Sequence, residues 1–500
     1  MPPGRSFAKK WRKLSGEDKW NSLLRPLDID LRRYLIHYGE RVQANYDTFV
    51  VDRKSRYTGA SKFSKKQMFS EVGIDKGNPI KYRIVKYIYA TSTSPDSPQS
   101  YILKSLVKDP WLGQSNWMGY VAVSTDRGKR LLGRRDILVS WRGTIQIAEW
   151  VENFDFPLVS ASKVFKQSIC AQVHSGYLSI YTSSNSRSRF NKTSARDQVL
   201  SMVRQLVEKY KDEETSITVV GHSLGGALAT LSGGDIAING YNETKSRPKK
   251  TIPVTVFAYG NPFLGNICLR ELLHKKEKLN ILRVVNVIDY IPLLPPFVGY
   301  IHIGQELWVD TRKSKYLKPT ESYAKRHNME AAYLHALAGS HGIEAEFRLE
   351  VDRDLALVNK RSNLLKEEYM IPQHWWVQEN KGMIQMPNGS WKLHELKGYP
   401  KREDEDEDED DIENEDEDDI ENKSEDEIEN EDEDEIENED EDEIENEDED
   451  EIENEDEDQM KKEDEDEDEN ENKDEDEDED ENEDGAHVSQ STLDGQNEKK

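Results

Sequence analysis

The stretch Gly221-His222-Ser223-Leu224-Gly225 carries the G-x-S-x-G spacing in which a serine can serve as a nucleophile. A free serine hydroxyl is weakly nucleophilic, so the pattern matters only if a base and an acid can be supplied to it. Its surroundings favour that use over a glycine-rich turn that merely caps a helix. Ile217, Thr218, Val219 and Val220 form a β-branched run of the kind found in buried strands. The residues after Ser223 are rich in Gly, Ala and Leu and suit a tightly packed helix. Glycine on both sides of the serine removes the Cβ atoms that would clash as the chain reverses between strand and helix. Ser223 is therefore the candidate nucleophile.

The partners of such a serine follow it in the order acid, then histidine. Asp289 ends the apolar run Ile281 to Ile288 and would lie at the same sheet edge as Ser223. Asp235 lies about three turns into the helix after Ser223 and is set aside; Asp310 falls in a separate loop. Six histidines follow Asp289 before the acidic tail: His302, His327, His335, His341, His374 and His394. His327 stands at the start of the helical run Ala331 to Ala338 and can project from a loop; His335 lies inside that run. On the residues alone both stay open as the base. His174 reads as a structural side chain at the sheet edge. A second useful junction is Asp136 to Thr144, an apolar strand delivering Arg-Gly-Thr into an amphipathic segment, Ile145 to Phe154. Backbone N–H groups at such a junction can hold an oxyanion.

These residues need a sheet to carry them. Arg83 to Ala90, Met118 to Ser124 and Val254 to Tyr259 read as further strands. Ser194 to Asp197 resembles a capping box that opens a helix leading into the Ser223 strand. Strand, helix and strand in alternation predict an α/β fold with a mostly parallel sheet. Trp11 to Phe49 reads as polar-rich helices broken near Pro26 and packed outside the core.

Together these pieces resemble the class 3 (fungal-type) lipases, and within them the plant class II phospholipases A1. The resemblance runs over nearly all of residues 11 to 400. It rests on Trp11-Arg12-Lys13-Leu14-Ser15-Gly16, Pro26 through Tyr34, Trp141-Arg142-Gly143-Thr144 and the Gly221–Gly225 motif. It also rests on Phe257 through Pro262, Lys366 through Tyr369, and Trp375 through Met383. The resemblance implies an α/β-hydrolase-type fold and a serine acylhydrolase, a phospholipase A1 cleaving the sn-1 ester through an acyl-enzyme. It implies Ser223, Asp289 and His327 as the triad, Thr144 and Leu224 as oxyanion donors, and a lid carrying Trp150 and Phe154. The sequence departs from the family's pattern by one extra residue between His327 and Tyr333, and by Asn261 where Ser is usual. Alternatives are a galactolipid or neutral-lipid lipase, and a catalytically silent lipid-binding scaffold.

The average net charge of -33 conceals two compositions. Residues 403–500 carry 62 acidic and 6 basic side chains, net -56, and residues 1–402 carry 39 and 62, net +23. The expected organisation is a catalytic body at 1–402 with an N-terminal helical region, an acidic repeat tail at 403–484, and a polar end at 485–500. In the tail an isoleucine recurs every eight residues from Ile412 to Ile452. At about 100° per helical residue that spacing builds no stripe, and self-repulsion makes disorder the expectation. The tail reads as a solubilising extension or a segment for a basic partner. Cys170 and Cys268 have no metal or disulfide-framework spacing and read as free buried thiols, which suits a reducing compartment. No apolar run is long enough to span a membrane and the first ten residues lack the apolar core of a signal peptide, so a cytoplasmic location is expected. The expected partners are a phospholipid or other acyl-lipid substrate and a transient membrane surface, with no nucleic acid, metal or cofactor.

Overall fold

The computed structural model describes residues 4–395, apart from 76–77, 93–101, 107–111, 113–114, 145–156, 246–248, 297, 320–321, 344, 377–380 and 386–390. The chain divides into one unit at Met1–Arg402 and a second at Glu403–Lys500. The tail and its repeats lie outside the described residues, as does the lid segment with Trp150 and Phe154.

Among the described residues nine strands precede residue 310: β1 (Tyr82–Ala90), β2 (Asn116–Ser124), β3 (Arg135–Trp141), β4 (Leu158–Ser160), β5 (Gln172–His174), β6 (Thr215–His222), β7 (Val254–Tyr259), β8 (Leu279–Asn286) and β9 (Gln305–Val309). Seven of them form one sheet in the order β1-β2-β3-β6-β7-β8-β9. β1, β2 and β3 pair antiparallel. The remaining ladders, from β3 to β9, are parallel. This is the mostly parallel sheet of an α/β-hydrolase-type fold. Every residue of β3, β6, β7 and β8 is buried, as expected where helices cover both faces.

Alternation along β6 sorts the two faces. Val219 and the neighbouring Val256 lie under the helix Leu224–Ile238, where a Cβ on Gly233 would meet Val256 at 2.5 Å and Val219 at 3.7 Å. Glycine and alanine in that helix permit this close approach. Thr218, with Phe257 on β7, faces the helix Ile29–Thr48 instead: Tyr38 lies 3.5 Å from the Thr218 hydroxyl and packs on the Phe257 ring.

The helix Ile29–Thr48 corrects the expectation that the N-terminal helices pack outside the core. Most of it is buried, charged residues included. Its polar positions are paired inside the protein, which polarity read along the sequence cannot reveal. Lys360 Nζ stands 2.6 Å from Asp47, with both side chains almost wholly buried. Arg353 bridges Glu330 at 2.5 Å and Glu40 at 3.6 Å. Tyr38 and Tyr82 both donate to Asp136. Within the helical reading of Trp11 to Phe49, the stretch from Trp20 to Leu27 is instead built of turns, with positive φ at Lys19, Trp20 and Ser22.

The reading of Cys170 and Cys268 as free buried thiols is also corrected. They form a disulfide between Cα atoms 5.7 Å apart, across 98 residues of sequence. Asn266, two residues before Cys268, bonds the Cys170 carbonyl through its side-chain amide at 2.8 Å, bringing the two segments together. The argument from free thiols to a reducing compartment thereby loses its premise. Among the described residues no helix is long and apolar enough to cross a membrane.

Candidate active site

The parallel strands bring several loop residues to one edge of the sheet. Ser223 follows the last residue of β6, Asp289 comes three residues after β8, and Gly143 and Thr144 follow β3. Ser223 adopts φ 61° and ψ -130°, a strained conformation for a residue with a Cβ. The apex is held by Ser223 N–H donating to the Tyr259 carbonyl at 2.9 Å and Gly226 N–H donating to the Ser223 carbonyl at 2.9 Å. The two flanking glycines are explained by close approach: a Cβ on Gly221 would stand 2.1 Å from the Gly225 carbonyl oxygen, and one on Gly225 2.4 Å from that of Trp141. A helix begins at Leu224, so the Leu224 N–H belongs to a first turn whose donors have no intrahelical acceptor.

Gly143 packs against the same apex. A Cβ placed there would lie 3.1 Å from Ser223 Cβ, and Thr144, the next residue along the chain, is buried. The chain leaving β3 thus meets the Ser223 apex at Gly143, one residue before Thr144.

His327 lies between the short helix Tyr323–Arg326 and a π-helix at Met329–Leu334. Its Nδ1 is 2.5 Å from Asp289 Oδ2, and both side chains are buried. Asp289 Oδ1 accepts from the Ile291 N–H at 3.0 Å. Asp289 Oδ2 takes a second donor, the Tyr333 hydroxyl. Burial, with the Asp289 charge beside it, pushes the Tyr333 phenol well above its usual range, so it remains a donor. The π-helical turn answers the extra residue before Tyr333. A π turn holds one more residue than an α turn, so the longer spacing still delivers the hydroxyl to Asp289.

The other side chains weighed from sequence are engaged elsewhere. His335 bonds the Ser314 hydroxyl through Nε2 at 2.8 Å, and burial lowers it to about 3. His174 accepts from the Gly176 N–H at 3.1 Å and stacks on Tyr177. Asp235 is held by Arg196, Tyr181 and Asn239, and Asp310 by Arg312. A cavity of about 860 Å³ lined by Trp20, Phe263, His302 and Trp308 has none of Ser223, Asp289 or His327 in its wall. Among the described residues no group of three or more His, Cys, Asp or Glu is placed to hold a metal ion.

His222 and Tyr46 were not singled out by their chemistry in the sequence. The His222 ring lies 4.4 Å from that of His327, tilted by 31°. Its Nδ1 is 2.7 Å from the Tyr46 hydroxyl. Burial first, and His327 second, hold His222 well below the ordinary histidine range, so it is uncharged at neutral pH. Motif position points to His222; no sequence signal points to Tyr46, 176 residues earlier.

Comparison with known proteins places this geometry in a family. The family described as Lipase (class 3) matches residues 138–299. Phospholipase A1-IIgamma of Arabidopsis thaliana is 51% identical over 398 residues, covering 78% of this chain and 94% of that protein. The chain belongs to the phospholipase A1-II family of class 3 lipases. Phospholipase A1-IIbeta of the same plant is 47% identical, again over 78% and 94% of the two chains. Phospholipase A1-II 1 of Oryza sativa subsp. indica is 46% identical over 78% and 96%. Membership in this family makes the protein a carboxylic ester hydrolase. The matched segment 138–299 includes Ser223 and Asp289 and leaves out both His327 and Tyr46.

Proposed function

We propose that the protein is a phospholipase A1 that hydrolyses the sn-1 acyl ester of phospholipids through Ser223, His327 and Asp289. Ser223 Oγ attacks the ester carbonyl as His327 Nε2 takes its proton. Asp289 holds the ring with Nδ1 protonated and stabilises the imidazolium that forms. The Leu224 and Thr144 N–H groups receive the oxyanion. His327 returns the proton to the departing lysophospholipid oxygen, and water, deprotonated in turn by His327, releases the fatty acid and restores Ser223.

The observation that carries this reading is the buried His327 Nδ1–Asp289 Oδ2 pair at 2.5 Å, whose imidazole packs on the residue preceding Ser223. Ser223 Oγ and His327 Nε2 each make no hydrogen bond among the described residues, which leaves both for substrate. Apo geometry of this kind commonly tightens when substrate binds. The sn-1 preference comes from the relatives named phospholipase A1. The surface of residues 1–402, at net +23, suits transient attraction to anionic lipid headgroups.

The test is hydrolysis of phospholipids with distinguishable acyl chains at the two positions, beside a galactolipid and a triacylglycerol. Release of the sn-1 chain by the native protein, with Ser223→Ala folded, inactive and unlabelled by a fluorophosphonate, is the expected result. Near-normal turnover by Ser223→Ala overturns the mechanism. Preferred hydrolysis of either other lipid replaces the substrate.

A further inference from the structure

We infer that Tyr46 is a positioning residue that ties the oxyanion strand end to the imidazole of His327 by way of His222. The inference rests on the triad reading above and adds two residues to it.

Three contacts converge on the Tyr46 side chain. Its hydroxyl is 2.7 Å from His222 Nδ1, and its ring meets the His222 ring edge-on with centroids 5.7 Å apart. The same hydroxyl lies close against Gly143, the residue before Thr144: a Cβ on Gly143 would lie 2.1 Å from the Tyr46 hydroxyl and 2.5 Å from the His222 carbonyl oxygen. Burial raises the phenol above its usual range and keeps it protonated, with the charge of Arg142 acting in the opposite sense. The hydroxyl can then donate to His222 Nδ1, the arrangement in which the proton of neutral His222 lies on Nε2.

His222 passes this constraint to the base. Its ring packs on one side of His327, while Tyr333 stands edge-on to both rings at 5.3 and 6.2 Å. Because His222 is uncharged, it supports the ring on which positive charge develops without opposing that charge. Tyr46 is itself held firmly. Arg361 donates to its carbonyl at 2.6 Å, and Trp376 donates to the carbonyl of Asp47 at 3.2 Å. A small displacement of a base or an oxyanion donor costs turnover out of proportion to its size. One hydroxyl packed against Gly143 and bonded to the His222 ring therefore acts on the chemical step rather than on lipid binding.

The experiment compares Tyr46→Phe, His222→Phe, His222→Gln and Tyr46→Phe/His222→Phe in the full chain on a soluble short-chain ester, with Ser223→Ala alongside. Tyr46→Phe removes only the hydroxyl and should melt within a few degrees of the native protein. The expected result is a kcat about tenfold lower or more with KM within about twofold, the size of losing one hydrogen bond that acts in the transition state. His222→Phe should match it, and the double variant should be no worse than the poorer single variant. His222→Gln, whose amide can still accept from Tyr46, should recover much of the loss. Native kcat in Tyr46→Phe, a loss confined to KM, or additive losses in the double variant would overturn the inference. An inactive Ser223→Ala beside a normal Tyr46→Phe defeats this inference alone; an active Ser223→Ala defeats the triad beneath it.

Discussion

Tyr333, inside the π-helix Met329–Leu334, and His327, two residues before that helix, bond the same atom, Asp289 Oδ2. Two donors on one oxygen, with the Ile291 N–H on the other, leave the carboxylate little freedom to rotate. The orientation of the His327 ring is thus fixed through Asp289, and each of these contacts can be removed separately.

Replacing Asp289 with Asn keeps the shape of the side chain and removes its charge. The amide can also turn its NH2 toward His327, favouring the tautomer with the proton on Nε2. Turnover should fall by roughly four powers of ten, as in other triads that lose their acid this way. Measuring kcat beside the melting temperature checks it: a loss of only a few-fold in a folded variant removes Asp289 from the proposed mechanism.

Tyr333→Phe deletes one charge-assisted hydrogen bond and leaves the ring in place. A hydrogen bond to a charged group contributes about 1.5–3 kcal/mol, so kcat/KM should drop by roughly 10- to 100-fold if the bond acts fully in the transition state. Steady-state kinetics at saturating and limiting ester would separate kcat from KM. An unchanged kcat assigns Tyr333 to packing alone.

The disulfide between Cys170 and Cys268 closes a loop across 98 residues of sequence. In the chain-entropy account a loop near that size restrains the unfolded state by at most about 4.7 kcal/mol. Cys170→Ser/Cys268→Ser should therefore melt several degrees lower, and reductant should lower the native protein's melting point without affecting the variant. Thiol titration of the denatured, unreduced protein should find no free cysteine; two free thiols would show that the bond does not form.

Acid should weaken the fold earlier than carboxylate titration alone would bring about. Burial lowers His335 and His174 to about 3 and His302 to about 4, against an ordinary value near 6.5. Between those limits the unfolded chain binds more protons than the folded one, so stability falls as pH drops below about 6.5 and continues to fall toward 3. Glu40 and Glu330, raised by burial, act in the opposite direction, so the total slope mixes both. The difference between the native protein and His335→Gln isolates one histidine. Denaturant midpoints from pH 7.5 to 5 should decline less steeply in the variant; parallel curves would show that His335 takes up its proton in the folded state.

The parallel strands β6, β7 and β8 were legible because each carries a dense run of apolar and β-branched residues with both faces covered. Val254–Tyr259 is the clearest case, with its observed bounds those expected from sequence. The capping box at Ser194 and Asp197 was legible because its chemistry is local. β9 was missed because only Leu307 and Val309 of its five residues are buried, too short an alternation to register. Tyr46 was missed for the opposite reason. Its helix is rich in charge, and the counter-charges that let it enter the core, Arg353 and Lys360, come some three hundred residues later. The disulfide was illegible because spacing along the chain does not report the distance between two loops.

The pairing of Asp47 with Lys360 has a consequence for how the protein comes into being. The helix Ile29–Thr48 leaves the ribosome some three hundred residues before its counter-ions, Arg353 and Lys360. Until they arrive, the helix carries acidic groups that cannot be buried without heavy cost. A chain interrupted after residue 300 holds Ser223 and Asp289 but neither His327 nor the cations that seat Tyr46. On the proposed mechanism such a truncated chain carries Ser223 without His327, so unfinished copies should show no esterase activity.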